Sequence, residues 1–317
     1  MRYETSSNNR RQSAPNLGHI SANKRRSTLL AAGFGGFVLL SAWLVQLVVG
    51  FATAGLVLAG LVAGAVVALG WWKSDAVALA ASHARPADPQ LHARLHNLVD
   101  GLCVAEGLPK PRLFVIEDPA LNAFAAGRDP KHAAVAVTTG LLDKLTRVEL
   151  EAVLAHELSH IKNYDVLFSS LAVTTVGVLA LVADCALRFL WWGGPRHRDD
   201  RNPGSGPGAV LAVFGLPFLV LAPLAARVMQ LLVSRRRETL ADVTGVAVTR
   251  YPPGLISALE KLRDDSTVVH SASPATAHLW IESPTAQVAS EGRLAWLNRL
   301  FNTHPPIEER IQALREL

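Results

Sequence analysis

Thr146-Arg147-Val148-Glu149-Leu150-Glu151-Ala152-Val153-Leu154-Ala155-His156-Glu157-Leu158-Ser159-His160 is the stretch on which the reading of this chain turns. Thr146 with Glu149 three residues later forms a capping-box pattern, in which hydroxyl and carboxylate each take up a backbone N–H that the first helical turn leaves without a partner. The spacing therefore predicts a helix that opens at Thr146 and runs through both histidines. Residues four apart on a helix share a face, so the imidazoles of His156 and His160 can reach one Zn2+, while Glu157 points toward a metal-bound water. That combination is hydrolytic. Zinc lowers the pKa of its water to about 7 and polarises a carbonyl, and a neighbouring carboxylate takes the proton.

A catalytic zinc keeps three protein ligands and one open position, so a further acidic residue or histidine must arrive from another helix. In Glu238-Thr239-Leu240-Ala241-Asp242 the two carboxylates stand four apart and share a face. One is a candidate metal ligand and the other a candidate acceptor for the spare N–H of a liganding imidazole, the contact that fixes its tautomer and orientation. The plainer reading, an acidic pair balancing Arg235 to Arg237, loses its force beside the histidine motif. His92 and His96 are also four apart, but no carboxylate partner stands out for them, and no second metal site is assigned there.

The sequence on either side of this core is apolar on a scale that soluble domains do not need. From Ser27 to Trp72 there are 46 residues without one charge, whereas a helix crosses the hydrocarbon core with about 20. Two spans are expected, joined at Gly50 to Gly55, with Trp71, Trp72 and Lys73 as an interfacial anchor. A third run covers Val166 to Ala183 and continues to Trp191 and Trp192, with Asp184 and Arg188 placed to neutralise each other on a helix. A fourth covers Ala209 to Ala226. Arg2, Arg10, Arg11, Lys24, Arg25 and Arg26 before the first span, and Arg235 to Arg237 after the fourth, place both ends in the cytoplasm by the positive-inside rule. The loop 193–208 then lies outside. These basic runs are short, flank apolar spans and lack interleaved aromatics, so nucleic acid is not an expected partner.

The composition agrees with that division. The 317-residue chain is 50% hydrophobic and 18% charged, with a mean hydropathy of +0.25 and a net charge of +5. Global disorder, a collagen-like fibre and a disulfide-stapled module are excluded by the apolar fraction, by unperiodic glycine and by the presence of only Cys103 and Cys185. Residues 1–26, rich in Ser, Asn and Arg, are expected to be disordered. Leu91, Leu95, Leu98, Val99 and Leu102 recur at helical spacing. Leu113 to Ile116 and Ala133 to Val137 are β-prone, and the breakers Asn122, Gly127, Asp129 and Pro130 between them suggest a small hairpin or meander. Helices are expected over Glu238 to Arg250, Gly254 to Arg263 and Ile307 to about Leu314, and a mobile surface segment over Ser266 to Gly292. The domain plan is thus a basic tail 1–26, a helical hairpin 27–72, a first soluble part 73–163, two further spans 164–233 and a second soluble part 234–317.

The chain resembles the HtpX-like membrane zinc metalloproteases, relatives of the CAAX prenyl endopeptidases, from about Ser27 to Ala313. The resemblance is carried by Asn122-Ala123-Phe124-Ala125-Ala126-Gly127, Thr138-Thr139-Gly140-Leu141-Leu142, His156-Glu157-Leu158-Ser159-His160 with Asn163 and Asp165, Ser234-Arg235-Arg236-Arg237-Glu238 with Ala241-Asp242, and Thr303-His304-Pro305-Pro306 with Arg310. It implies a mainly α protein in which four transmembrane helices carry a cytoplasmic gluzincin-like peptidase domain with a small hairpin or sheet. His156, His160 and Glu238 would bind one Zn2+ per chain, Asp242 would orient an imidazole, and Glu157 would be the base. Asn122 and Ala123 would meet the substrate backbone, with an ordinary turn as the alternative for Asn122. His304 is a candidate oxyanion donor or a helix-entry residue, and Arg310 an ion-pair residue. The resemblance also implies a multi-pass protein of the cell membrane, embedded in the lipid bilayer, that hydrolyses damaged or misfolded membrane proteins in the stress response of the envelope. Two other functions share these motifs. A zinc-binding scaffold leaves Glu157 without a role, and a CAAX-type processing enzyme would carry more spans.

Overall fold

The computed structural model describes residues 17–49, 53–174, 184, 235–271, 276, 279–281 and 305–317. Helix α1 runs Leu17–Val49 and α2 Thr53–Ala81, packed against each other. The uncharged run 27–72 falls on these two helices, though many of its side chains lie outside the described residues. Among the described residues no helix is long and apolar enough to cross a membrane. The fourth run, the loop 193–208, Cys185 and the Asp184–Arg188 pairing also lie outside them. One expectation is corrected at the start of the chain. Residues 17–26 are the first turns of α1 and not a disordered tail, with Asn23 and Ser27 buried.

Next come β1 Arg85–Pro86, α3 Ala93–Glu106, β2 Arg112–Ile116, β3 Ala123–Gly127, β4 Ala133–Thr138, α4 Thr139–Lys144 and α5 Arg147–Lys162. The leucine spacing did mark α3, whose Leu95, Leu98, Val99 and Leu102 are buried, but Leu91 lies before the helix and is exposed. The strands form one mixed sheet in the order β1-β2-β4-β3. The hairpin expectation is therefore corrected: β2 and β4 are parallel neighbours, and the segment read as breakers supplies β3, antiparallel to β4. The chain turns at Gly127, where φ is +146° and a Cβ would stand 2.4 Å from the His132 carbonyl oxygen. Only glycine fits there.

The alternation of side chains along the strands assigns one face to each of two cores. Ala123, Ala125, Val135 and Val137 pack against α3 and α5. Phe124, Ala126, Ala134 and Ala136 pack against Ala78 and Leu79 at the end of α2, together with Val173 and Trp280. Trp280 is fully buried edge-to-face on Phe124, the ring centroids 5.0 Å apart. The Ile281 N–H donates to the Ala123 carbonyl at 3.0 Å. The described residues of 266–292 thus include a structural plug on the sheet, where a mobile surface had been expected.

After the undescribed stretch come α6 Arg235–Thr249, α7 Pro252–Asp264 and α8 Ile307–Arg315. Helix α7 begins directly on Pro252, whose missing N–H costs nothing at a first helical position. Helix α6 lies along α5, and Gly245 is the point of closest approach: a Cβ there would stand 3.0 Å from the His156 backbone nitrogen. Glu238, Asp242 and Gly245 recur at helical spacing on one face. That face meets the histidines.

Candidate metal centre

The capping box at Thr146 forms as the sequence requires. The Glu149 carboxylate accepts from the Thr146 N–H at 2.7 Å, and the Thr146 hydroxyl accepts from the Glu149 N–H at 3.4 Å. Lys261 and Ser257 of α7 donate to the same carboxylate at 2.7 and 2.6 Å. Burial works against the charge of Glu149, but Lys261, Ser257 and Thr146 outweigh it and hold its pKa down at about 2. The N-terminal end of α5 is thereby fixed, and the helix delivers His156, Glu157 and His160 three turns later.

The two imidazoles face each other with Nε2 atoms 3.2 Å apart. Glu238 of α6 closes the triangle, one carboxylate oxygen 3.6 Å from His156 Nε2 and the other 3.6 Å from His160 Nε2. Ligands about 2.0–2.1 Å from a tetrahedral zinc stand roughly 3.3 Å from one another, so these separations fit one ion. The other ring nitrogens support that fit. His156 Nδ1 lies 2.8 Å from Asp242 Oδ1, and His160 Nδ1 lies 3.2 Å from Asp165 Oδ2. With each Nδ1–H directed at a carboxylate, both Nε2 atoms are turned to the same point as the Glu238 oxygens, where a bound cation would take the place of a proton. Three acceptors converging on one point are a cation site. Of the two carboxylates the sequence left open, Glu238 faces this point and Asp242 stands behind His156.

Charge is balanced around the site by two buried arginines. Arg310 of α8 donates to both oxygens of Asp242, at 2.8 and 2.6 Å, and lies 3.5 Å from His156 Nδ1. Burial raises the Asp242 pKa, but Arg310 and His156 more than reverse this and hold it at about 2. Burial likewise opposes a charge on His156, yet Asp242 and Glu238 raise its pKa to about 9, and Glu238 and Asp165 raise that of His160. Both rings sit in a negative field, as cation ligands should. Arg237 is buried with its guanidinium 3.7 Å from Asp165 and 5.0 Å from the Phe168 ring. Beyond the topology signal that Arg235 to Arg237 carries, Arg237 is also part of the site.

Glu157 is 2% exposed and lines a cleft together with His156, His160, Glu238, Ala125, Leu279 and Ile281. Asn122 and Ala123 do not line it. Asn122 is buried, its side-chain oxygen accepting from the Ala123 N–H at 3.0 Å, and the strand delivers Ala125 to the cleft instead. His304 lies outside the described residues. His92 and His96 form no metal cluster among the described residues, and His96 contacts the Ala87 carbonyl oxygen at 3.1 Å. The residue sequence reasoning missed is Asp165 as an imidazole partner. It stands five positions after His160, and only a turn in which Tyr164 adopts φ +60° swings it back beneath the ring.

Residues 89–317 match the model of peptidase family M48. The chain belongs to that family. It is a zinc metalloprotease, a hydrolase of peptide bonds. Among its relatives, a "Protease HtpX homolog" of Caldanaerobacter subterraneus subsp. tengcongensis is 44% identical over 246 residues, 77% of this chain and 79% of that one. A "Protease HtpX homolog" of Ligilactobacillus salivarius is 38% identical over 303 residues, covering 94% of this chain and 98% of the relative. The HtpX resemblance read from the motifs is thereby shown. The crystal structure of S. mikatae Ste24p matches at 19% identity and a TM-score of 0.46, covering 94% of this chain and 67% of that one. So distant a match adds nothing to the fold described above.

Proposed function

We propose that this chain is a membrane-embedded zinc endopeptidase that cleaves misfolded or damaged membrane proteins from the cytoplasmic face of the cell membrane, with His156, His160 and Glu238 holding one zinc ion. The observation that carries the reading is the convergence of three metal-facing acceptors on a cleft that also contains a buried carboxylate with no metal-holding part, Glu157. When bound, zinc supplies a Lewis acid that polarises the scissile carbonyl and acidifies the attacking water. The rest falls to residues of the chain. Asp242 and Asp165 each hold an imidazole by its Nδ1–H, so that Nε2 stays turned inward. Glu157 takes the proton released as the water oxygen bonds to the carbonyl carbon, then returns it to the amine nitrogen as the C–N bond breaks.

The edge of β3 suggests how an extended polypeptide is held. Register with β4 turns the backbone groups of Ala123, Ala125 and Gly127 to the outer edge. The Ala123 carbonyl is taken by Ile281, and the Gly127 N–H by the Ser170 hydroxyl at 2.9 Å. Ala125 lies between them on the cleft, positioned to pair with a substrate strand. In this reading substrate contact belongs to Ala125, while Asn122 and Ala123 hold the strand in place, the Ala123 N–H bonded to Asn122 and its carbonyl to Ile281. The uncharged run 27–72 supports a bilayer location, and the packing of α2 under the sheet supports a site held close to the membrane surface. Glu157→Gln keeps size and hydrogen bonding but cannot accept the proton. It should retain about one zinc per chain in detergent while proteolysis of an unfolded model substrate falls by several orders of magnitude. Cleavage by that variant at the parental rate would overturn the assignment of the base.

A further inference from the structure

We infer that Asn23, in the first helix, is a positioning residue for the zinc-binding imidazole of His160 and acts through Asp165. The inference rests on the reading of His160 as a zinc ligand. Asn23 is 4% exposed, and its side-chain nitrogen donates to two acceptors 140 and 142 residues away, the Asn163 carbonyl at 3.0 Å and Asp165 Oδ1 at 2.7 Å. Asp165 Oδ2 in turn faces His160 Nδ1 at 3.2 Å. An amide is suited to this place because one nitrogen carries two hydrogens, and a carboxylate or a single hydroxyl could not serve both acceptors.

The turn that Asn23 grips needs outside support. Tyr164 sits at φ +60°, a conformation that is strained for a non-glycine residue and persists only where its surroundings impose it. Helix α1 imposes it from two adjacent residues: Asn23 binds the backbone and side chain on either side of Tyr164, and the Lys24 ammonium lies 4.3 Å from the centroid of the Tyr164 ring. With Oδ1 held by Asn23, the Asp165 carboxylate cannot rotate, and Oδ2 stays on His160. Partners of this kind set the ring orientation of metal-binding histidines, and their loss weakens metal affinity by about 10- to 100-fold. The first helix is thus part of the frame of the metal site.

The test is a double-mutant cycle on the full chain in detergent, read as zinc affinity by chelator competition and as the visible spectrum of the Co2+-loaded protein. Asn23→Ala should weaken zinc binding about tenfold and shift the cobalt spectrum, and Asp165→Ala should weaken it at least as much. Because Asn23 acts through Asp165, the double variant should bind zinc no more weakly than Asp165→Ala alone. Ser27→Ala removes a buried hydroxyl that, among the described residues, bonds within the same helix, to the Asn23 carbonyl at 3.0 Å, and should leave zinc affinity at the parental value. Should Asn23→Ala fail to fold, Asn23→Gln, with its amide displaced by one methylene, carries the same expectations. Parental zinc affinity in the Asn23 variant, or losses that add in the double variant, would overturn the inference. If His160→Ala also keeps its zinc, the ligand assignment itself fails; if it loses zinc while the Asn23 variant does not, only the role of Asn23 falls.

Discussion

His156 and His160 are held by the same device, a carboxylate on Nδ1, built from opposite parts of the chain. Behind His156, Asp242 is clamped by two nitrogens of an arginine on the last helix, and the ring is fully buried. Behind His160, Asp165 is held by a neutral amide from the first helix and by the more distant Arg237, and the side chain is 15% exposed. One clamp is a sealed, two-point ion pair; the other is a neutral amide with a guanidinium farther off, nearer to water. The difference teaches that the two zinc ligands are not equally expensive to disturb: removing a charge from the sealed clamp strands another charge, while removing the amide strands none.

The largest effect should therefore come from Arg310→Met, which keeps volume but leaves Asp242 buried without its partner. Breaking one side of a buried ion pair costs about 3–5 kcal/mol, so the variant should unfold at markedly lower temperature and denaturant concentration, with zinc lost alongside. Stability equal to the parent would show that the two clamps are equivalent. A smaller loss is expected where α6 meets α5. Gly245→Ala would place a Cβ 3.0 Å from the His156 nitrogen and 3.2 Å from the Ala155 carbonyl carbon, both backbone atoms. Overpacking of this kind costs about 1–3 kcal/mol, and the shift of α6 should lower zinc affinity through Glu238 and Asp242. Unchanged affinity would mean that these carboxylates do not need that close approach.

The smallest effect lies at the far end of α5, where no metal contact is involved. Glu149→Gln weakens the capping box and its bond to Lys261, at a cost of about 1 kcal/mol. The pKa of Glu149 is depressed from 4.5 to about 2 in the folded chain. Its contribution is thus present above the unfolded value and lost as pH falls from about 4.5 toward 2. Urea titrations across that range should show a shallower acid loss in the variant than in the parent, at unchanged zinc content near neutral pH. An identical acid profile would remove Glu149 from the account.

What could be read in advance followed the range of the interactions. The α5 helix, its cap, the histidine pair and the acidic pair of α6 depend on neighbours three or four residues apart, and spacing reports those directly. The parallel pairing of β2 with β4 did not, because Ala123 to Gly127 carries small residues and breakers whose strand state comes from burial between α5 and Trp280. Leu91 shows the opposite failure, a residue with helical spacing that stops short of the helix. The clamp on His160 was illegible for a different reason. Nothing in Asn163-Tyr164-Asp165 marks a left-handed turn at tyrosine, and Asn23, 142 residues from Asp165, sits in a stretch whose composition reads as disorder.

The central claim is that His156, His160 and Glu238 share one zinc ion, and metal analysis of the purified chain tests it most directly. The parent should carry about one zinc per chain, and His156→Ala, His160→Ala and Glu238→Gln should each carry close to none after the same purification. His92→Ala, outside the site, should keep it. Full zinc occupancy in the Glu238 variant would contradict the account.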